Sequence, residues 1–68
     1  MHVFCKDKFK AIRKAKGYTQ KSLAEAIGTY EQHVQQWEYG KGTPNATYLL
    51  RTMKLLDLTP DDLLAIEL

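Results

Sequence analysis

Residues 19–39 read TQKSLAEAIGTYEQHVQQWEY. Leu23, Ala24 and Ile27 recur in this stretch at helical spacing and give the segment Gln20–Ile27 one apolar face. Thr19 stands where a helix N-cap belongs, its hydroxyl placed to accept from the first free amides. Gly28 follows the last apolar residue and tolerates the positive φ that turns a chain out of a helix. A second segment runs from about Glu31 to Tyr39, with Val34 and Trp37 three apart, and stops before Gly40. Two helices that cross steeply need a small residue at the contact, and Ala24 supplies it. Val34 and Trp37 pin the second helix along one edge. Glu31, Gln32, His33, Gln35 and Gln36 then make up a free and wholly polar outer face.

The same punctuation continues outward. Phe9, Ile12 and Arg13 share helical spacing in a segment from about Lys6 to Lys16, which Gly17 ends. Gly40 to Pro44 is a polar loop. Asn45 can cap a helix from Ala46 to Leu56 whose inward residues would be Leu49, Met53 and Leu56. Thr59, Pro60 and Asp62 form a helix start, and the last helix is expected from about Pro60 to Ile66. No stretch alternates apolar and polar residues, so no strand is expected. The expectation is an all-α fold of five helices in one domain covering residues 1–68.

Composition narrows the function. At 68 residues the chain has room for one core and no large active-site cavity, and it buries only ~60% of its unfolded surface. Apolar residues at 44% and charged residues at 26% are those of an ordinary globular protein. No apolar run is long enough to span a membrane, and Met1–Lys10 has no apolar signal-peptide core. Cys5 is the single cysteine and cannot form an internal disulfide, which points to a cytoplasmic protein. Cys5 and His2 make two metal ligands where a structural zinc site needs four, so no metal is expected. No nucleophile–base set and no glycine-rich phosphate loop occurs, so neither an enzyme nor a cofactor is expected. Net charge is only +2, but it is uneven. Residues 1–34 carry seven Lys/Arg against three Asp/Glu, and residues 35–68 carry three against five. One half therefore suits a polyanion.

The two central helices have the form of a helix-turn-helix. A Gln amide offers a donor and an acceptor together, matching N6 and N7 of adenine in the major groove. The runs IRKAKGYTQKSLAEAIG (12–28) and VQQWEYGKGTPN (34–45) resemble the phage-repressor, Cro/CI-type (XRE) helix-turn-helix family. Arg13, Gly17, Gln20, Leu23, Ala24, Gly28, Val34, Trp37, Glu38, Gly40 and Pro44 carry the resemblance, which covers about residues 9–64. It implies a five-helix, lambda-repressor-like domain that binds operator DNA, usually as a two-fold dimer. Two positions depart from the pattern. Thr29 stands where an aliphatic residue is usual, and Tyr30 where a Ser or Thr usually caps the recognition helix. Unless Thr29 caps one residue early, the missing cap costs about 1 kcal/mol.

The resemblance also implies roles. Glu31, Gln32 and Gln36 match the base-reading positions, and Gln32 and Gln36, four apart, share a face. Glu31 would accept from cytosine or simply favour the positive helix N-terminus. Gln20 matches a phosphate contact at a helix N-terminus, with Lys21 beside it. Tyr30 would meet sugar or phosphate, or pack under its helix. His33 and Gln35 flank the reading face, toward phosphate or solvent. Lys41, Thr43 and Asn45 match a loop that lies along the DNA backbone, Asn45 also being a cap. Arg13 and Glu38 resemble an ion pair between the first and third helices.

Helix 4 and the tail hold more apolar residues than one small core needs, and such surplus marks a partner surface. A homodimer through Leu64, Ile66 and Leu68 would set two recognition helices ~34 Å apart, one turn of DNA. Two functions result: a DNA-binding regulator, a repressor or a phage or mobile-element switch, or an antitoxin or antirepressor that uses this fold to bind a protein partner.

Overall fold

The computed structural model describes residues 2–66, and the side chains within residues 3–64. The elements are β1 (His2–Phe4), α1 (Lys6–Ala15), α2 (Gln20–Ile27), α3 (Glu31–Tyr39), α4 (Ala46–Leu56), α5 (Pro60–Leu63) and β2 (Leu64–Ile66). Five helices thus make up the body of the fold. Their ends follow from local chemistry. Thr19 and Ser22 form a reciprocal capping box on α2, and on α5 the Asp62 carboxylate accepts from the Thr59 amide at 2.8 Å. Asn45 caps α4 by accepting from the Tyr48 amide. Gly28 and Gly40 close α2 and α3 in the left-handed region, at φ +81° and +79°.

Two expectations need correction. The chain ends are not wholly helical: β1 and β2 pair antiparallel, Val3 opposite Ala65 and Phe4 opposite Leu64. The last helix accordingly stops at Leu63, not Ile66. Its end is held from outside. Lys8 Nζ donates to the carbonyls of Asp61 and Leu64, at 3.1 and 3.0 Å, and the Cys5 amide donates to Leu63 O at 2.8 Å. Carbonyls that a further helical turn would have satisfied are taken by Lys8 of α1 and by Cys5, its N-cap residue, and the chain leaves extended.

The second correction concerns the inner face of α4. Leu56 is buried and Leu49 and Met53 pack half-buried against the core as expected, but Thr52, not foreseen, takes the innermost place. The Thr52 hydroxyl is satisfied there by donating to Tyr48 O at 2.8 Å. The core consists of Phe9, Leu23, Ala24, Ile27, Val34, Trp37, Leu56 and Leu63. Through it runs a chain of aromatic rings, Phe4–Phe9–Trp37–Tyr48, with centroids 5.4, 6.1 and 6.0 Å apart. Trp37 and Val34 anchor α3 from below, which leaves its other side to solvent.

Candidate nucleic-acid interface

Beneath α3 lies a polar bracket. Arg13 of α1 donates from Nε to Glu38 Oε2 at 2.6 Å and from Nη2 to Glu38 Oε1 at 3.0 Å. Its third nitrogen, Nη1, donates to Tyr18 O at 2.8 Å, in the turn between α1 and α2. Both side chains are buried. Gln20 completes the set, its Nε2 donating to Glu38 Oε1 at 3.1 Å. The first residue of α2 is thereby tied to α3. Sequence reasoning placed Gln20 toward a phosphate or toward solvent, and the internal bond was not foreseen. One amide proton is engaged inward while the half-buried side chain still borders the surface.

On α3 the buried residues are Val34, Trp37 and Glu38. At 100° per residue, Gln32 and Gln36 project opposite them, and both are exposed. Glu31 is exposed in the first turn, where its charge suits the helix N-terminus. Tyr39 extends the same outer stripe one turn beyond Gln36 and is 68% exposed. It was not singled out from sequence, although its spacing of three from Gln36 carried the signal.

The flanks differ from each other. Gln35 is half-buried. His33 is exposed, with Nδ1 2.6 Å from Thr29 Oγ1 and its ring stacked at 28° over Trp37. Tyr30 is the N-cap residue of α3, makes no side-chain cap bond and is 74% exposed, so it does not pack under its helix. Thr29 does not cap one residue early either, since its hydroxyl pairs with His33.

Lys21 lies exposed in the first turn of α2. Lys41, Thr43 and Asn45 are exposed after α3, and the Asn45 carbonyl serves α4 as its cap. The loop borders a shallow cleft of about 400 Å³ lined by Phe4, Lys6, Trp37, Gly40, Lys41, Gly42 and Thr43. Two cations, Lys6 and Lys41, thus line this cleft.

A family model described as helix-turn-helix matches residues 9–63. This chain belongs to that family. The helix-turn-helix itself is α2, the Gly28 turn and α3. Among curated proteins, the HTH-type transcriptional activator BcrR of Enterococcus faecalis is 36% identical over 61 residues, 90% of this chain. The chain spans only 30% of that relative's length. Among solved structures, the P22 c2 repressor in complex with a synthetic operator superposes with a TM-score of 0.78 at 29% identity, over 87% of this chain and 89% of the other. SinR, the master regulator for biofilm formation, in complex with DNA, gives 0.77 at 27% identity, over 85% and 97%. Both solved structures are regulators in complex with DNA, and this chain has their fold.

A guanidinium that sequence reasoning passed over braces the helix-turn-helix from behind. Arg51 of α4 donates from Nη1 to Ile27 O at 3.1 Å, taking a carbonyl left free where α2 ends. No helical period marks such a contact, because it joins residues far apart in sequence. Of the apolar tail residues, Leu64 is half-buried in β2. Ile66 lies in β2 with its side chain outside the described residues, and Leu68 lies wholly outside them. No helix among the described residues is long and apolar enough to cross a membrane.

Proposed function

We propose that this chain is a sequence-specific double-stranded DNA-binding transcriptional regulator. The observation that carries this is α3: three buried residues hold it, and the face opposite them offers Gln32 and Gln36 to solvent. A rigidly seated helix with exposed amides suits the major groove, where adenine presents a matching donor and acceptor. Glu31, Gln32 and Gln36 read bases. Lys21, Tyr30, His33, Gln35, Lys41, Thr43 and Asn45 meet the sugar–phosphate backbone and fix the register, with Gln20 at their edge. Arg13 and Glu38 keep α1 and α3 in place.

The likeness to an operator-bound repressor supports a homodimer on a palindromic operator, with Leu64, Ile66 and Leu68 at the two-fold contact. It also supports the finer reading of a repressor or a phage or mobile-element switch acting in the cytoplasm by occupancy. With both an activator and a repressor among the relatives, the sign of regulation depends on where the operator lies. An antitoxin or antirepressor role is less favoured, since the similar solved structures are regulators in complex with DNA.

Selection of bound sequences from a random double-stranded DNA pool tests the proposal. A short palindrome with half-sites about one helical turn apart is expected. Recovery of nothing above background would overturn it.

A further inference from the structure

Thr29 and His33 lie four residues apart across the start of α3, with Oγ1 and Nδ1 separated by 2.6 Å. At that separation the threonine hydroxyl can donate to an unprotonated Nδ1. A neutral imidazole carries one proton, which this arrangement leaves on Nε2. The ring is also held on two other sides. It stacks over Trp37 at 6.4 Å and meets the edge of Tyr30 at 5.7 Å. His33 is nonetheless exposed, on the flank of the face formed by Gln32 and Gln36.

We propose that Thr29 is a positioning residue for DNA contact: it fixes the tautomer and rotation of His33, so that Nε2–H is offered as a donor to an acceptor on DNA. The acceptor is a phosphate oxygen or the N7/O6 edge of guanine, the shared chemistry being an unprotonated oxygen or nitrogen. This rests on the DNA-binding function proposed above. It also accounts for Thr29 at a turn position where an aliphatic residue is usual. A hydroxyl, not an apolar contact, is what His33 needs there.

Long-range ¹⁵N correlation of the ring nitrogens, on the free protein in alkaline buffer, reads the tautomer without DNA. The wild type should show Nε2–H. Thr29→Val, which keeps the side-chain shape, should shift the ring toward a mixture, and Thr29→Ser should restore it. On the selected operator, Thr29→Val should weaken binding roughly three- to tenfold, the worth of one ordered hydrogen bond. In a His33→Ala background the same change should have no further effect. A phosphate acceptor predicts equal losses on operator and scrambled DNA, and a guanine acceptor predicts a loss on operator alone. A wild-type ring protonated on Nδ1, or an equal loss in the His33→Ala background, overturns the proposal and leaves the function standing. A wild type that binds no DNA, with the Nε2–H tautomer present, overturns the function and the DNA half of this proposal together.

Discussion

Gln20 donates to the same Glu38 carboxylate that holds Arg13, so the first residue of α2 and the last full turn of α3 share one buried charge. The angle between the two helices is therefore set by a hydrogen-bonded bracket as well as by Ala24 and Val34. Geometry at the DNA face inherits the rigidity of that bracket.

Arg13→Ala removes the cation from this bracket and leaves Glu38 buried with only an amide partner. The expected loss is about 3–5 kcal/mol, the cost of uncovering one half of a buried pair. Urea denaturation checks it, and an unchanged midpoint would contradict it.

Gln20→Ala is expected to cost about 1 kcal/mol of stability, the worth of an ordinary hydrogen bond. The size is modest because Gln20 is half-exposed and Arg13 still compensates the charge. A substitution that weakened DNA binding while leaving the denaturation curve untouched would assign Gln20 to phosphate alone.

Gly28 and Arg51 are expected to be coupled. A Cβ at Gly28 would stand 3.0 Å from Arg51 Nη1, and φ is +81° there. Gly28→Ala should cost about 1–2 kcal/mol from the left-handed conformation, and more where the guanidinium must also move. In an Arg51→Ala background the cost should fall toward the conformational part alone. A double-mutant cycle on thermal or chemical unfolding measures the difference. Strict additivity would show that Arg51 gives way freely.

Tyr30→Ser places a hydroxyl at an N-cap position whose backbone is already extended, at φ −109° and ψ 150°. A stability gain of about 1 kcal/mol is expected. Operator affinity should fall in the same variant if the exposed ring of Tyr30 meets the DNA backbone. Gains in both would remove Tyr30 from the interface.

Gln32→Ala and Gln36→Ala should each cost about 1–3 kcal/mol of operator affinity at one base position, with stability unchanged. Lys41→Ala should weaken binding to all sequences and lower the salt slope by about one. Titrations on the selected operator and its single-base variants separate the two patterns.

The parts legible in the sequence were those with local signatures. Thr19, Asn45 and Thr59 announce helix starts, Gly28 and Gly40 announce ends, and the spacing of Leu23, Ala24, Ile27, Val34 and Trp37 fixes which faces turn inward. Tertiary contacts were not legible in that way. Three-residue strands are too short to show a period, so the pairing of Phe4 with Leu64 left no trace. Thr52 carries no apolar signal for an inward place, since its burial depends on a bond to its own helix. Arg51 and Lys8 cap distant helix ends, and only the fold brings those carbonyls within reach. At the candidate interface the exposed amides were evident. The inward turn of Gln20 and the clamp of Thr29 on His33 were not, because each depends on where one side chain rotates.

The antiparallel ladder has a practical consequence for rewiring the molecule. Because β1 and β2 pair side by side, the start of the first strand and the end of the last are neighbours, His2 standing opposite Ile66. Joining Ile66 back to His2 through a few flexible residues would turn residues 2–66 into a ring. Cutting the ring at Gly42, which is exposed with open space around it, would yield a circular permutant. In such a molecule α3 and α4 would be joined through the packing of Trp37 on Tyr48 and no longer through their loop, and α3 would sit beside a free end to which new segments could be grafted.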